Sequence, residues 1–562
     1  MRWRAAVGKW FPALVVLCWV CRAGGGETLY NGIELPGTWP PKIKALSREP
    51  LETPPYLVSP PAIIPIDVGR QLFVDDFLIE QTTLTRTHHL PVYHPANPVL
   101  RPDKPWEGKG SAAAAMAFSD GVWFDPADQL FKIWYMTHER PRATCYATSR
   151  DGIHWDKPAL DVEPGTNVVL RDGPEAFRDS STVWLDLEEK DPQRRYKMFP
   201  VYVEEKIVDG KTQVRKWMRI YFSPDGIHWT RAAESDECGD RTTVFRNPFR
   251  GKWVFGLRSG TPLVGRCREY VESAEVLEGA RWNSKEAKEK RTLWIGADTL
   301  DPERHDLNLF DPVPSYDQVP VQLYNLDCAP YESVMVGLFT IWRGQPRDRG
   351  KPNEVCVGYS RDGFHWTRPD RRPFCPVSEK EGDWNWSNVQ SAGGCCLVVG
   401  DQLYFYVSGR EGIKGTKSNG RCATSLATLR RDGFASMDAG GSAGGLTTRL
   451  LEFSGNHLFV NVAAPQGSLR AEVLDEKGSV IAPFTAENCQ ALEHVDGTRI
   501  ELSWRGATDL SALAHRAVKL RFTLTQGALY SFWMSPGSSG ASHGYVAAGG
   551  PGLTGATDTV GK

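Results

Sequence analysis

Short apolar runs, two at a time and split by a turn, recur along most of this chain. Gly121-Val-Trp-Phe-Asp-Pro126 precedes Leu130-Phe-Lys-Ile-Trp-Tyr135, and Thr182-Val-Trp-Leu-Asp186 precedes Tyr196-Lys-Met-Phe199. Thr243-Val-Phe-Arg-Asn-Pro248 leads into Gly251-Lys-Trp-Val-Phe255, and residues 331–339 and 396–406 repeat the arrangement. Aromatic and β-branched runs broken by Asp-Pro, Asn-Pro or Gly-Asp are hairpin signatures. A longer phrase punctuates them: Ser149-Arg-Asp-Gly-Ile-His-Trp155, Ser223-Pro-Asp-Gly-Ile-His-Trp229 and Ser360-Arg-Asp-Gly-Phe-His-Trp366. A worn copy, Arg430-Arg-Asp-Gly-Phe434, follows, and Tyr270-Val-Glu-Ser273 with Trp282 occupies the one double-length gap. Five units of about 70 residues predict a five-bladed β-propeller with a central funnel. Asp-Gly is a tight-turn dipeptide, so the phrase predicts the turn between the outer strands of a blade, its Trp packed between blades.

The pattern changes at both ends. Residues 24–66 are rich in Pro and Gly and predict an extended arm. The propeller is expected over 67–437, with Gln71 to Ile79 as its first strand. Residues 438–445 (Asp-Ala-Gly-Gly-Ser-Ala-Gly-Gly) read as a flexible linker. Alternating strands then predict a β-sandwich over 446–536, so the whole is all-β. Beyond it, 537–562 is Gly, Ser, Ala and Thr and predicts disorder.

Composition narrows the function. Lys plus Arg number 66 against 68 Asp plus Glu, which removes any bulk attraction to nucleic acid or anionic membrane. Arg2, Arg4 and Lys9 precede an apolar run from Trp10 to Val20 and then Cys21-Arg-Ala23. That is the layout of a signal peptide over 1–23, too short to span a bilayer, and it predicts a secreted or periplasmic protein. Ten of the 12 cysteines follow it, scattered and without zinc-ligand spacing, which suits apolar fillers with room for a disulfide or two. Nothing in the sequence asks for a cofactor or a structural calcium.

Aligning the units on their first apolar run brings acidic residues into register. Asp179, Asp240 and Asp327 each lie five positions before Trp184, Phe245 and Glu332, Asp120 lies three before Trp123, and Gln390 takes the fifth place. Carboxylates converging on one funnel repel, which raises some pKa values and separates proton donors from ionised bases. Glycosidic cleavage needs that separation.

The five units, the Phe177-Arg178-Asp179 segment and the trailing strands resemble the invertase-like and arabinanase-like glycoside hydrolases of families 32 and 43. Asn97-Pro-Val-Leu-Arg-Pro followed by Pro105-Trp-Glu107 is also similar to the opening of the related mannoside phosphorylases. Within the Arg-Asp-Pro motif of that group, Ser180 replaces Pro. The resemblance implies hydrolysis of a plant or algal oligo- or polysaccharide. Asp120 is then base or nucleophile, Asp179 orients hydroxyls, and Glu332 donates the proton, with Glu269 and Glu272 as rivals. Sugar contacts are expected from Arg178, Arg241, Asn325, Arg266, Arg268, Trp384, Trp386, Asn388 and Gln390. Two other readings stay open: a non-catalytic exported glycan-binding propeller, and a glycoside phosphorylase.

Overall fold

The computed structural model describes residues 26–138, 140–302, 321–344 and 348–561. The export signal expected over 1–23 lies outside them. Five antiparallel sheets form the blades of a propeller. Blade I is Val122–Asp125, Leu130–Met136, Ala143–Ser149 and Val168–Arg171. Blade II begins with the broken inner strand Phe177–Ser180 and Val183–Leu185 and ends with Thr230–Glu237. Blade III runs from Thr243–Asn247 to Thr292–Gly296. Blade IV is built on Gln322–Glu332, Val334–Trp342 and Glu354–Ser360. In blade V, Asn388–Ser391 and Leu397–Val399 are innermost, then Gln402–Arg410 and Cys422–Arg430. Its outermost strand, Val92–Tyr93, comes from ahead of blade I and pairs with Ala427 and Thr428, which ties the ring shut.

The repeated phrase is the turn that leaves each third strand. Asp151 Oδ1 accepts the Ile153 and His154 amides at 2.8 Å, and its Oδ2 lies 2.7 Å from His154 Nδ1. Gly152 takes φ +75°, as the turn demands. The neighbouring blade grips each turn through a hydrogen bond. Tyr406 of blade V donates to Gly152 O at 2.5 Å, Trp134 of blade I to Gly226 O at 2.7 Å, and Trp294 of blade III to Phe364 O at 2.8 Å. The worn copy follows suit, with Tyr331 of blade IV donating to Asp432 at 2.6 Å.

The boundaries differ from the sequence expectation in three places. Gln71 to Ile79 is not the first propeller strand. Gln71–Leu72, Ile79–Thr82 and Thr85–His88 join the C-terminal strands in one nine-stranded sheet. Their alternating apolar residues fit any sheet, and burial of Phe73, Phe77 and Leu78 in the C-terminal core decides which. The predicted linker is also structured, because Ala435–Ala439 and Gly444–Thr448 are both strands of that sheet. Within it, His457–Leu474 pairs first with Gly527–Ser535 and then with Lys519–Thr525, so one long strand serves both halves.

The third difference is the Gly- and Ser-rich tail. Residues 537–561 are not disordered but run into the propeller axis. Tyr545 and Val546 pair with Glu332 and Tyr331. Ala548 accepts from Phe124 N and donates to Cys396 O at 2.9 and 3.0 Å, Ala547 donates to Pro330 O, and Gly549 accepts from Val398 N. All of these partners lie late in inner strands, so the tail closes the end of the ring opposite the strand starts. Its order comes from main-chain hydrogen bonding, which a Gly-rich composition does not advertise. The ten cysteines of the described residues are free and nine of them are buried, as apolar fillers.

Candidate active site

Residues at the starts of the inner strands converge at the open mouth. Asp120 ends the short 3-10 turn Phe118–Asp120 ahead of blade I and is fully buried. Its Oδ2 accepts a charge-assisted hydrogen bond from Arg178 Nη2, while Arg178 Nη1 donates to Thr144 and the Arg178 amide donates to Asp172 at 2.8 Å. Burial outweighs the guanidinium and lifts the Asp120 carboxyl to about 6.

Asp327 is the second buried carboxyl. Its Oδ2 accepts from Asn325 Nδ2 at 2.8 Å and Ser391 Oγ at 2.5 Å, and Asn325 also reaches Ser119 Oγ at 3.1 Å. Desolvation again dominates and raises it to about 6. Gln390 Nε2 donates to Asn388 Oδ1 at 3.1 Å, and Asn388 Nδ2 to Lys351 O at 2.7 Å. Asn325 Oδ1 and Gln390 Oε1 are buried without a hydrogen-bond partner.

The other two aspartates are more open. Asp179 is 27 % exposed, with Arg241 Nε 3.8 Å from its Oδ2. Asp240 is 31 % exposed and bound by Lys216 at 2.8 Å and Arg258 at 3.6 Å. Burial alone would raise Asp240, but these cations outweigh it and hold it far below the usual carboxylate range. Within the funnel, Asp120 and Asp327 are thus raised while Asp240 is lowered. The cause is burial set against cations, rather than the mutual repulsion that the aligned aspartates suggest.

Several expected roles move. Glu332 lies five residues beyond Asp327 on one strand, about 16 Å away at strand rise, at the closed end. There it is fully buried, with Arg70 at 3.5 Å and Arg431 at 3.3 Å, and donates nothing to the mouth. Alignment on apolar runs cannot distinguish the two ends of a long inner strand. Of its rivals, Glu269 is held by Arg291 and Ser259, and Glu272 by Arg250 and Tyr270. Trp384 packs on Tyr93 at 5.2 Å, and Trp386 is buried beneath Arg349 at 5.3 Å, so neither ring is a sugar platform. Arg268 is buried and donates to the carbonyls of Arg241 and Tyr324, which makes it a brace; Arg266 reaches Gln322 Oε1 at 2.7 Å.

The sequence reading misses Tyr324. It lies where the pairing of Gln322–Glu332 with Val334–Trp342 slips between Leu323 and Asn325. Asp179 sits in an equivalent slip, between Arg178 and Ser180. Such bulges re-aim a side chain that strict alternation would send to the other face. Lys351 Nζ and the Arg241 guanidinium lie 5.6 Å from the Tyr324 ring. Burial raises the phenol, but Lys351, Arg241 and Arg410 outweigh it and bring it down to about 7.

No protein-family model matches the chain, and no curated protein sequence matches it. Among solved structures, it is similar to an N-acetylgalactosamine deacetylase from F. plautii in complex with blood group B trisaccharide. That match is 12 % identical, has a TM-score of 0.36, and covers 60 % of this chain and 97 % of the other. A Bombyx mori family 32 β-fructofuranosidase in complex with sucrose is 10 % identical, with a TM-score of 0.33 over 78 % of this chain and 94 % of its own. A xylan β-1,4-xylosidase from Bacillus halodurans C-125 is 9 % identical, with a TM-score of 0.34 over 78 % and 99 %. Likeness at this level assigns no residue roles, so the chemistry rests on this chain's own side chains.

Proposed function

We propose that the chain is a glycoside hydrolase of the family 32/43 type, acting on an oligo- or polysaccharide bound in the funnel. One observation carries this: a single mouth holds an accessible carboxylate, Asp179, together with buried carboxyls that keep protons up to about pH 6. Acid-assisted departure of an alcohol needs such a pair. Asp327 holds the proton for the leaving oxygen, and Asp179, flanked by Arg241, meets the positive charge that grows on the sugar. Asp120, sealed and bound to Arg178, is a positioning residue that braces the strand carrying Asp179. Asn325 and Gln390, which flank Asp327 and Asn388, are buried and hold these groups in place. Export through residues 1–23 belongs to the same proposal, and N-terminal sequencing of the mature protein checks it.

The test is hydrolysis of a panel of polysaccharides and aryl glycosides by wild type and Asp179→Ala. The expected outcome is cleavage by the wild type and a loss of two or more orders of magnitude in the variant, on the usual scale of acid–base contributions, with the circular dichroism spectrum unchanged. Binding without cleavage across the panel would move the protein to the non-catalytic reading, which the retirement of Glu332 from the mouth favours.

A further inference from the structure

Two basic side chains at the mouth are left over from this chemistry. Arg410 is 5 % exposed, donates to Asn419 Oδ1 at 2.8 Å and makes no ion pair among the described residues. Lys351 likewise makes none; its ammonium faces the Tyr324 ring. Arg241 joins them, its guanidinium 4.2 Å from the Phe118 ring, with Arg410 5.5 Å from that same ring. Two adjacent aromatic rings, Phe118 and Tyr324, therefore gather three cations. Among the described residues, the only carboxylate within ion-pair reach of the three is Asp179, on Arg241. Burying Arg410 without an ion pair is costly, so a site that keeps it beside two further cations is built to receive negative charge.

The same cations act on two neighbouring groups. The His138 ring is pushed down to about 4, by burial first and then by Arg142 and Arg410. Tyr324 is drawn down toward 7 against its own burial by Lys351, Arg241 and Arg410, which outweigh the opposing Asp240.

We propose that Arg241, Arg410 and Lys351 form an anion-binding subsite that selects a carbohydrate carrying a carboxylate or sulfate group, held beside Tyr324. This rests on the carbohydrate reading of the same funnel and narrows it to acidic sugars. Guanidinium forks match the oxygens of either group, and a neutral sugar leaves the charges uncompensated.

Tyr324 supplies a readout that is independent of turnover. Ultraviolet titration of the full chain should show one phenol ionising near 7 that is absent from Tyr324→Phe. Glucuronic acid or a sulfated glucose should raise that value saturably, because a bound anion offsets the cations, whereas glucose should not. Arg410→Ala and Lys351→Ala should each weaken the apparent affinity roughly tenfold or more, the worth of one charge-assisted contact. Arg410→Lys should retain part of it, and serves if the alanine variant does not fold. No saturable shift with either acidic sugar, or equal shifts in all variants, overturns the subsite. A response to inorganic phosphate alone also overturns it and points to a free anion instead. Cleavage of neutral glycans without acidic-sugar binding removes the subsite and leaves the hydrolase. Acidic-sugar binding with no glycan cleaved does the reverse.

Discussion

Along the inner strand Gln322–Glu332, a carboxyl that keeps its proton and a carboxyl clamped by two arginines belong to the same run of sequence. Asp327 is raised to about 6 from an ordinary value near 3.9. A proton-donating role then gives a kcat/KM limb that falls as pH rises through about 6, and Asp327→Asn should abolish that limb along with most of the activity. Stability carries the same sign. A folded-state pKa above the unfolded one contributes fully below about 4 and is lost as pH rises through 6. The stability of wild type relative to Asp327→Asn should therefore fall by about 2–3 kcal/mol between pH 4 and 7, read by urea unfolding at each pH. Glu332→Ala should behave differently. It leaves Arg70 and Arg431 buried beside a lost partner, which costs about 3–5 kcal/mol, while folded protein keeps its kcat. A Glu332 variant with full stability and no turnover would instead restore Glu332 to the chemistry.

At the level of elements, the hairpins and the Asp-Gly turns were legible because each depends on local periodicity and on one glycine. Gly226 takes φ +82°, and a Cβ there would lie 2.5 Å from the Trp134 ring. Gly226→Ala should therefore lower stability by at least about 2 kcal/mol, from left-handed strain and overpacking together, measured as a drop in the thermal midpoint. What the pattern could not show is the bulge. Asp179 follows from counting back from Trp184, and that count does not reveal the slip between Arg178 and Ser180. Tyr324, between Leu323 and Asn325, looks like any strand aromatic until the pairing slips. The run from Gln71 to Ile79 reads as β but belongs to the C-terminal sheet, because alternation says which face is buried and not against what.

The whole molecule is more interlocked than a propeller with an appendage. The arm before residue 67 crosses the blades, with Tyr30 stacked on Phe249 at 4.2 Å and Ile64–Pro65 paired with Leu451–Glu452. Arg70, Arg431, Glu332, Asp432 and Asp558 form one buried ionic knot that joins the C-terminal sheet, blades IV and V and the tail. The tail was illegible for a physical reason: its few apolar residues, Val546, Ala548 and Leu553, are buried by a surface that exists only once the ring has closed. A chain ending at Ser535 should lose both the axial hydrogen bonds and the Asp558 carboxylate from Arg431. It should melt several degrees lower, and an unchanged midpoint would sink the assignment of the tail as a closure.

Because residues 545–549 stop the axial hole, the inner strands cannot be fully paired until the chain has been made at least that far. The pairing of Val92–Tyr93 with blade V delays ring closure until about residue 430, and the stopper arrives more than a hundred residues later. Until then the inner strands of blades I, IV and V present unpaired backbone to the axis, and any chain released early keeps that exposed edge as a mark of incompleteness.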